Sequence, residues 1–435
     1  MGTLFKSKPW FYEEIDETEH TKRIGKVFKI REYLLRRHKV LQRPDYEWKG
    51  ETYQTAKIVL NNVKSFITSH AAFCVGQPIS ISGDKDVVSR YNLLYKQGGY
   101  SKTDYQIATD LYTYGNAFEY PYIDNGIIRS HIIANEDAYP VYNEDYEYTH
   151  FIEYWRDISN GGHKYANVYY PKRVDRYRDN KLLESKINST GLPIHYSAMT
   201  KSEYPQFGEG IMEDLVPLMD QIEYLLSKID DTTTTLLLNP LAVVSGTRID
   251  ESIPKDICGV NLNLEEGELK YPEIHLDYNT INMLLNKYIE FLFSKAGIPS
   301  VIMGQSNVSN LSEVSLKMLF FQMENMARET TVSMKDGILK RLAYIRKLLK
   351  TQDIKLSDEA FDTLDVNFNF SRPIDTKSLM EELQIQRKMG CISRHTVIDK
   401  SPHTVDTAEE IKRIEEENTA PKNNSSDQIL TDSKK

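Results

Sequence analysis

Residues Tyr278–Lys350 read YNTINMLLNKYIEFLFSKAGIPSVIMGQSNVSNLSEVSLKMLFFQMENMARETTVSMKDGILKRLAYIRKLLK. The first part sets Ile281, Leu284, Leu285, Tyr288, Leu292 and Ala296 along one face of a helix predicted over Asn279–Ala296. At about 100° per residue, Asn286, Lys287, Glu290 and Ser294 fall on the opposite face. Gly297-Ile298-Pro299 stops that helix, since Gly accepts the left-handed cap and Pro cannot continue the ladder. A loop rich in Gly, Ser, Asn and Gln follows, Val301–Leu311. Ser312-x-x-Ser315, with Glu313 in the first turn, then opens a long helix rich in Met and Phe that runs to about Lys350.

Upstream, Ile211, Leu215, Leu218, Ile222, Leu225 and Ile229 mark one apolar stripe of a partner helix. The Thr232–Thr235 run after it favours extended backbone, because β-branched side chains lose rotamer freedom in a helix. Between the two helices, 236–276 reads as a small module of short strands with turns at Gly246-Thr247 and Glu266-Gly267.

Towards the N-terminus a helix is predicted over 22–42, with Ile24, Val27, Phe28, Leu34, Leu35 and Leu41 at helical spacing. Its basic run of Arg36, Arg37, His38, Lys39 and Arg43 reads as a solvated face, with a DNA contact as the alternative. Further helices are predicted over Thr55–Cys74, stopped by Gly76-Gln77-Pro78, and over Lys102–Tyr114, closed by Gly115-Asn116. From Ala117 to about Lys186 the period becomes 2, in stretches such as Ile127–Ile133, Tyr148–Trp155, Lys164–Tyr170 and Leu182–Ile187. Turns at Asp124-Asn125-Gly126, Asn160-Gly161-Gly162 and Asp179-Asn180 make this an antiparallel meander. Its tyrosines suit a half-buried sheet face, and a stacking platform for bases is the other reading. After a strand at Val366–Phe370 and a boundary at Arg372-Pro373, helices are predicted at about 376–389 and 406–417, then a disordered tail from Asn418. The fold class is α+β.

A chain of 435 residues, 40% hydrophobic and 27% charged, can bury a sizeable core. Its net charge of −9 argues against a general nucleic-acid coat but does not exclude DNA contact, since an acidic surface repels a polyanion rather than trapping it. Cys74, Cys258 and Cys391 are odd in number and far apart, so neither a disulfide framework nor a CxxC metal site is expected. No signal core and no membrane span is expected: Leu236–Val244 is short and broken by Asn239 and Pro240. A soluble, intracellular protein follows. The chain has no Gly-x4-Gly-Lys-Ser/Thr loop and no HExxH, and Gly208-x-Gly210 is only a fragment of a dinucleotide motif. Glu144-Asp145 and Asp230-Asp231 read as solvated acids, a metal-dependent nuclease being the rival reading and a DNA-independent capsid or adaptor protein another. No catalytic residue, metal or cofactor is expected.

Several segments in order resemble the portal proteins of tailed bacteriophages, of the siphophage type common among phages of Gram-positive hosts. They are Lys57-Ile58-Val59-Leu60-Asn61 with Gly76-Gln77-Pro78, and Ala108-Thr109-Asp110-Leu111-Tyr112-Thr113-Tyr114-Gly115-Asn116-Ala117-Phe118-Glu119. Next come Gly208-Glu209-Gly210 leading into Val216-Pro217-Leu218-Met219-Asp220, and Gly297-Ile298-Pro299 with its loop and long helix. The last is Gly390-Cys391-Ile392-Ser393-Arg394-His395-Thr396 with Ser401-Pro402 and the acidic segment after it. The chain departs from the family where its long helix opens on Leu311-Ser312-Glu313 in place of a common Ser-Gly pair, and in its short C-terminal region.

The resemblance implies a wing (1–208), a first stem helix (209–235), a clip (236–276), a second stem helix (277–299), a tunnel loop (300–311) and a spine helix (312–350). A strand returning to the wing (351–375), a small helical crown (376–417) and the tail (418–435) complete it. It implies a non-enzymatic subunit of a dodecameric ring at one capsid vertex, the channel for double-stranded DNA packaging and ejection. Twelve copies at −9 would carry about −108. The resemblance further implies docking of the terminase large subunit, which would hydrolyse ATP, and of a head-completion adaptor, with contacts to major capsid and scaffolding proteins. Location would be the virion, and the host cytoplasm during assembly. Gln305, Ser306, Asn307, Val308, Ser309 and Asn310 would face DNA from the loop, and Asn286, Lys287, Glu290 and Ser294 would line the lumen, with Lys287 a candidate basic ring.

Overall fold

The computed structural model describes residues 9–48, 51–159, 161–234, 243–245, 268–270, 277–299, 313–352, 356–371, 376–401, 404 and 407–419. It divides into two units, 1–371 and 372–435. The first opens with α1 (Phe11–Ile15) and α2 (Thr18–Leu34). The helix expected over 22–42 breaks inside its basic run, where Arg36 takes a left-handed φ of 66° and a 3-10 turn, Lys39–Gln42, follows. His38 explains the break: its ring is buried, stacked on Tyr33 and bonded to Glu223.

After a hairpin of β1 (Tyr46–Trp48) and β2 (Glu51–Tyr53), α3 spans Asn62–Val75, seven residues later than the expected start at Thr55. Residues 55–61 are not helical, because the amides of Ala56, Ile58 and Leu60 are claimed by side chains of a later helix, described below. Then come β3 (Ser80–Ser82), α4 (Lys85–Gly98, unforeseen and capped by Asp84) and α5 (Tyr100–Tyr114).

The period-2 region yields β4 (Asn116–Asp124), β5 (Ile127–Ile133), β6 (Ala138–Tyr142), β7 (Tyr148–Asp157), β8 (His163–Tyr169), β9 (Arg173–Arg178), β10 (Lys181–Ile187) and β11 (Ile194–Ser197). It is not one meander. Strands β6 to β10 form a five-stranded antiparallel sheet in chain order, while β4 pairs with β5 and β11 in a separate sheet.

Helix α6 (Met212–Thr233) runs on through Thr232 and Thr233, where extended backbone was expected; the Thr232 hydroxyl donates to the Lys228 carbonyl one turn back, which suits a helix. Of the module at 236–276, the described residues are β12 (Val243–Ser245) and β13 (Glu268–Lys270), paired antiparallel. Helices α7 (Tyr278–Ala296), α8 (Glu313–Thr351) and α9 (Asp358–Asp362) follow, and β14 (Asp365–Asn367) returns to pair with β3. The main core gathers the buried faces of α3, α5, α6, α7 and α8 over β4 and β11. Among its described residues the second unit holds α10 (Thr376–Lys388), α11 (Arg394–Lys400) and α12 (Thr407–Thr419), α11 being unforeseen.

Two motifs far apart in the chain meet at the base of α6. Gly115 has φ +74°, and a Cβ on it would lie 2.5 Å from the backbone of Gly208 and Glu209. The Asn116 amide completes the crossing, donating to the Gly208 carbonyl and accepting from its N–H, both at 3.0 Å. Only glycine permits backbones this close.

Candidate functional site

Helix α7 divides cleanly between an inner and an outer face. Leu292, Phe293 and Ala296 are buried, with Leu285, Tyr288 and Ile289 packed behind them. Phe293 meets Phe66 edge-on at 5.4 Å. The helix ends on Gly297 at φ +63°, and the imidazole of His70 donates from Nε2 to the Ala296 carbonyl at 2.6 Å. Burial holds His70 neutral, its pKa lowered, and a carbonyl partner requires the proton on Nε2. Gln322 of α8 donates to the Ser294 carbonyl at 2.9 Å.

On the outer side Asn286, Lys287, Glu290 and Ser294 are all exposed. Lys287 Nζ lies 2.5 Å from Glu290 Oε2, so its charge is balanced one turn away within the same face. The face is therefore polar and locally neutral. Leu284 departs from expectation: it is 39% exposed and, with Phe291 at 56%, lies on the flank beside the polar residues, while Met283, 61% exposed, stands within the polar face one turn before Lys287. The stripe buried against α6 is narrower than the sequence pattern suggested, and the apolar side chains left over form a second, uncovered surface.

Helix α6 is pinned by the ribbon 55–61. The amides of Ala56, Ile58 and Leu60 donate to Asp231 Oδ1 (2.6 Å), Ser227 Oγ (3.0 Å) and Glu223 Oε1 (2.7 Å). Alternate residues of this segment thus engage side chains four residues apart on a helix, two periods brought into register. His38 Nδ1 joins Glu223 at 2.7 Å and Arg43 joins Asp231 at 2.6 Å. The basic run thereby supplies two structural anchors, and Arg37 pairs with Glu32. Burial raises the Glu223 carboxyl, opposed by the Leu60 amide and His38.

Helix α8 is held to the sheets through Arg341, which is fully buried. Its Nη1 reaches Asp104 at 2.5 Å and its Nε reaches Glu119 at 2.7 Å. The Tyr196 hydroxyl donates to Glu119 at 2.5 Å, and the guanidinium lies 5.0 Å from the Tyr100 ring. Two carboxylates around one guanidinium hold Arg341 charged, its pKa raised. One turn earlier, a Cβ on Gly337 would sit 2.0 Å from the Tyr196 ring, so the helix approaches β11 through a gap that only glycine leaves.

The loop residues Gln305, Ser306, Asn307, Val308, Ser309 and Asn310 lie outside the described residues, as does Cys258. Glu144 and Asp145 are exposed at a turn organised by Asn143, and Asp231 belongs to the α6 anchor. Among the described residues no cluster of three His, Cys, Asp or Glu is placed to hold a metal ion, and no helix is long and apolar enough to cross a membrane. Cys74 is buried and Cys391 exposed. Sequence reasoning passed over Arg341, Asp104, Glu223 and the role of His38. A signal existed for Arg341, which sits on the buried stripe of Met334, Ile338, Leu342 and Ile345.

The model of the family described as phage portal protein, SPP1 Gp6-like, matches residues 13–423. No curated protein matches the chain. Among solved structures, a chain from the neck of an empty GTA particle, computed with C6 symmetry, is similar at a TM-score of 0.45 and 8% identity, covering 80% of this chain and 88% of that one. A chain from the virion of the native gene transfer agent particle is similar at 0.43 and 10%, covering 77% and 86%. One from the neck of the native particle, computed with C12 symmetry, gives 0.44 and 8%, also covering 77% and 86%.

Proposed function

The chain belongs to the phage portal proteins, SPP1 Gp6-like, and from that premise we propose that this virion-associated portal subunit closes into a dodecameric ring at one capsid vertex. Double-stranded DNA passes through the ring during packaging and ejection. The second stem helix is α7, with Asn286, Lys287, Glu290 and Ser294 towards the lumen. The observation that carries this reading is the two-sided outer surface of α7, a neutral and mostly polar face, with Met283 within it, flanked by exposed Leu284 and Phe291. A ring built from heterologous contacts buries the apolar flank against the next subunit and leaves the polar face free. A Lys–Glu pair with short amide and hydroxyl neighbours exchanges hydrogen bonds with phosphates or water and grips neither firmly, which suits sliding.

In the same reading residues 1–208 form the wing, 236–276 the clip and 376–417 the crown. Gln305, Ser306, Asn307, Val308, Ser309 and Asn310 touch the DNA backbone from the tunnel loop. The subunit itself catalyses nothing: the terminase large subunit docks on the clip and supplies ATP hydrolysis. The head-completion adaptor, major capsid and scaffolding proteins are its other partners. Negative-stain images of the purified protein test the core of this: rings with a hole of DNA width are expected, and monomers or closed shells would refute it. Replacing Asn307 to Asn310 by a Gly-Ser stretch should impair packaging by rings that still assemble; unimpaired packaging removes the loop assignment.

A further inference from the structure

At one end of the five-stranded sheet lies β10, and the described residues leave it bare. All seven of its residues are exposed, with Ile187 87% and Leu182 54% accessible. One side of the strand pairs with β9. As the last strand in the order, it has no ladder partner on the other side among the described residues. Such a row of unpaired N–H and C=O groups accepts a further strand. A polypeptide completes that ladder; a nucleic acid cannot.

The charges beside β10 specify which polypeptide. The register puts Lys181 directly opposite Arg178, on the face that also holds Arg176 opposite Glu184, while Lys164 stands opposite Arg156 on the other face, further into the sheet. Like charges facing each other across paired strands are destabilising. Among the described residues neither Lys181 nor Lys164 has an ion pair and Arg178 has only the nearby Asp179 carboxylate, which it shares with His163, although neighbours such as Arg173 and Lys186 have close carboxylate partners. Arg176 lies 5.8 Å from the centre of the Tyr165 ring, which stacks on Trp155 at 5.5 Å. Lys181, Arg178 and Arg176 thus share one face with the Tyr165–Trp155 pair, a cationic patch beside an aromatic floor on a chain whose net charge is −9.

We propose that β10 and the flanking cations are a docking site for an extended acidic segment of another protein, added as a sixth strand. Lys181 and Lys186 repel a second copy of the same strand, and the register irregularity between Leu182 and Glu184 twists the edge out of flat self-pairing. The edge is thus closed to itself and open to a strand of opposite charge. The inference stands on the sheet alone and does not depend on the channel reading.

The test uses the full-length protein in whatever oligomer it forms. The probes are a labelled peptide of about ten residues alternating Glu and Val, its Lys-Val counterpart and a single-stranded oligonucleotide of similar length. The Glu-Val peptide should bind about tenfold or more tighter than the Lys-Val peptide and slow amide exchange across 181–187. The double variant R178E/K181E should reverse that preference, a gain for the Lys-Val peptide that a misfolded protein cannot show. Equal binding of the two peptides overturns the proposal. So does preference for the oligonucleotide with the same loss in R178E/K181E, which makes the patch a nucleic-acid site. Protection in the free protein of those 181–187 amides that do not bond to β9 overturns it too, since another subunit then covers the edge.

Discussion

Two helices of this chain use charge in opposite ways. On α8, Arg341 is sealed in the core between Asp104 and Glu119, each contact at 2.7 Å or less. On α7, Lys287 and Glu290 meet at 2.5 Å but stand more than half exposed. The first pair of contacts has lost water and depends wholly on its partners. The second keeps water as an alternative partner and contributes little to stability. Position is fixed by the buried charge, and an unadhesive surface is made by the exposed one. In the proposed ring the two would serve as a fixed frame and as a wall that does not hold what passes.

The sharpest way to break the comparison is Arg341→Met. Removing the guanidinium leaves Glu119 and Asp104 buried with no counter-charge, and unfolding free energy should fall by about 3–5 kcal/mol. The triple variant R341M/E119Q/D104N removes the stranded charges as well, and should be less destabilised than the single one by at least about 1 kcal/mol. Urea denaturation of both checks this; equal losses would show that Arg341 acts by packing and not by charge.

Gly337→Ala comes next. Propensity alone predicts a gain of about 1 kcal/mol, because alanine suits a helix interior better than glycine. The Tyr196 ring, 2.0 Å from the new Cβ, predicts the opposite. We expect a net loss of about 2 kcal/mol by overpacking, together with a displaced Tyr196 hydroxyl and a weakened Arg341–Glu119 contact. A stabilised variant would mean that α8 can lift from β11 without penalty.

These two residues show where the sequence stops being readable. Helical spacing located α7 and α8 and the start of α6 to within a residue or so, though α6 runs four residues past Ile229, and alternation located strands of the period-2 region. Both signals are local. The break at Arg36 and the non-helical ribbon 55–61 were not legible, because their cause lies on α6, 163 to 185 residues away in sequence. Nor could alternation alone separate β4 and β5 from the five-stranded sheet, since it reports a strand's faces and not its neighbours. At the candidate site, the polar face of α7 was legible from its spacing. The exposure of Leu284 was not, because it depends on how wide a stripe α6 covers.

Asp110 is a third kind of charge, partly buried with no cation against it among the described residues and with Glu136 nearby. Burial first, and then Glu136, pushes its pKa up to about 7. The folded state therefore keeps a proton that the unfolded state releases at about pH 4. Stability from this group is intact below about pH 4, drains away as pH rises towards 7 and is absent above it. Asp110→Asn should leave stability unchanged near pH 4 and raise it by about 2 kcal/mol at pH 8. Melting curves at the two pH values decide this; a pH-independent effect would show that the carboxyl is ionised at both.

The smallest effect on stability should come from Lys287→Glu, and that is what makes it informative. Both partners are exposed, so a change within about 0.5 kcal/mol is expected in the isolated subunit, even with a second carboxylate placed beside Glu290. In the proposed ring the same substitution turns a neutral face acidic in every copy, and the repulsion acts at close range on a polyanion in a confined channel. Ring yield should stay at the wild-type level, while DNA packaging or retention changes and does so more at low ionic strength than at high. Loss of rings with no change in subunit stability would move Lys287 to the contact between subunits, next to Phe291. The polar face would then serve assembly, and the lumen wall would have to be sought elsewhere on α7.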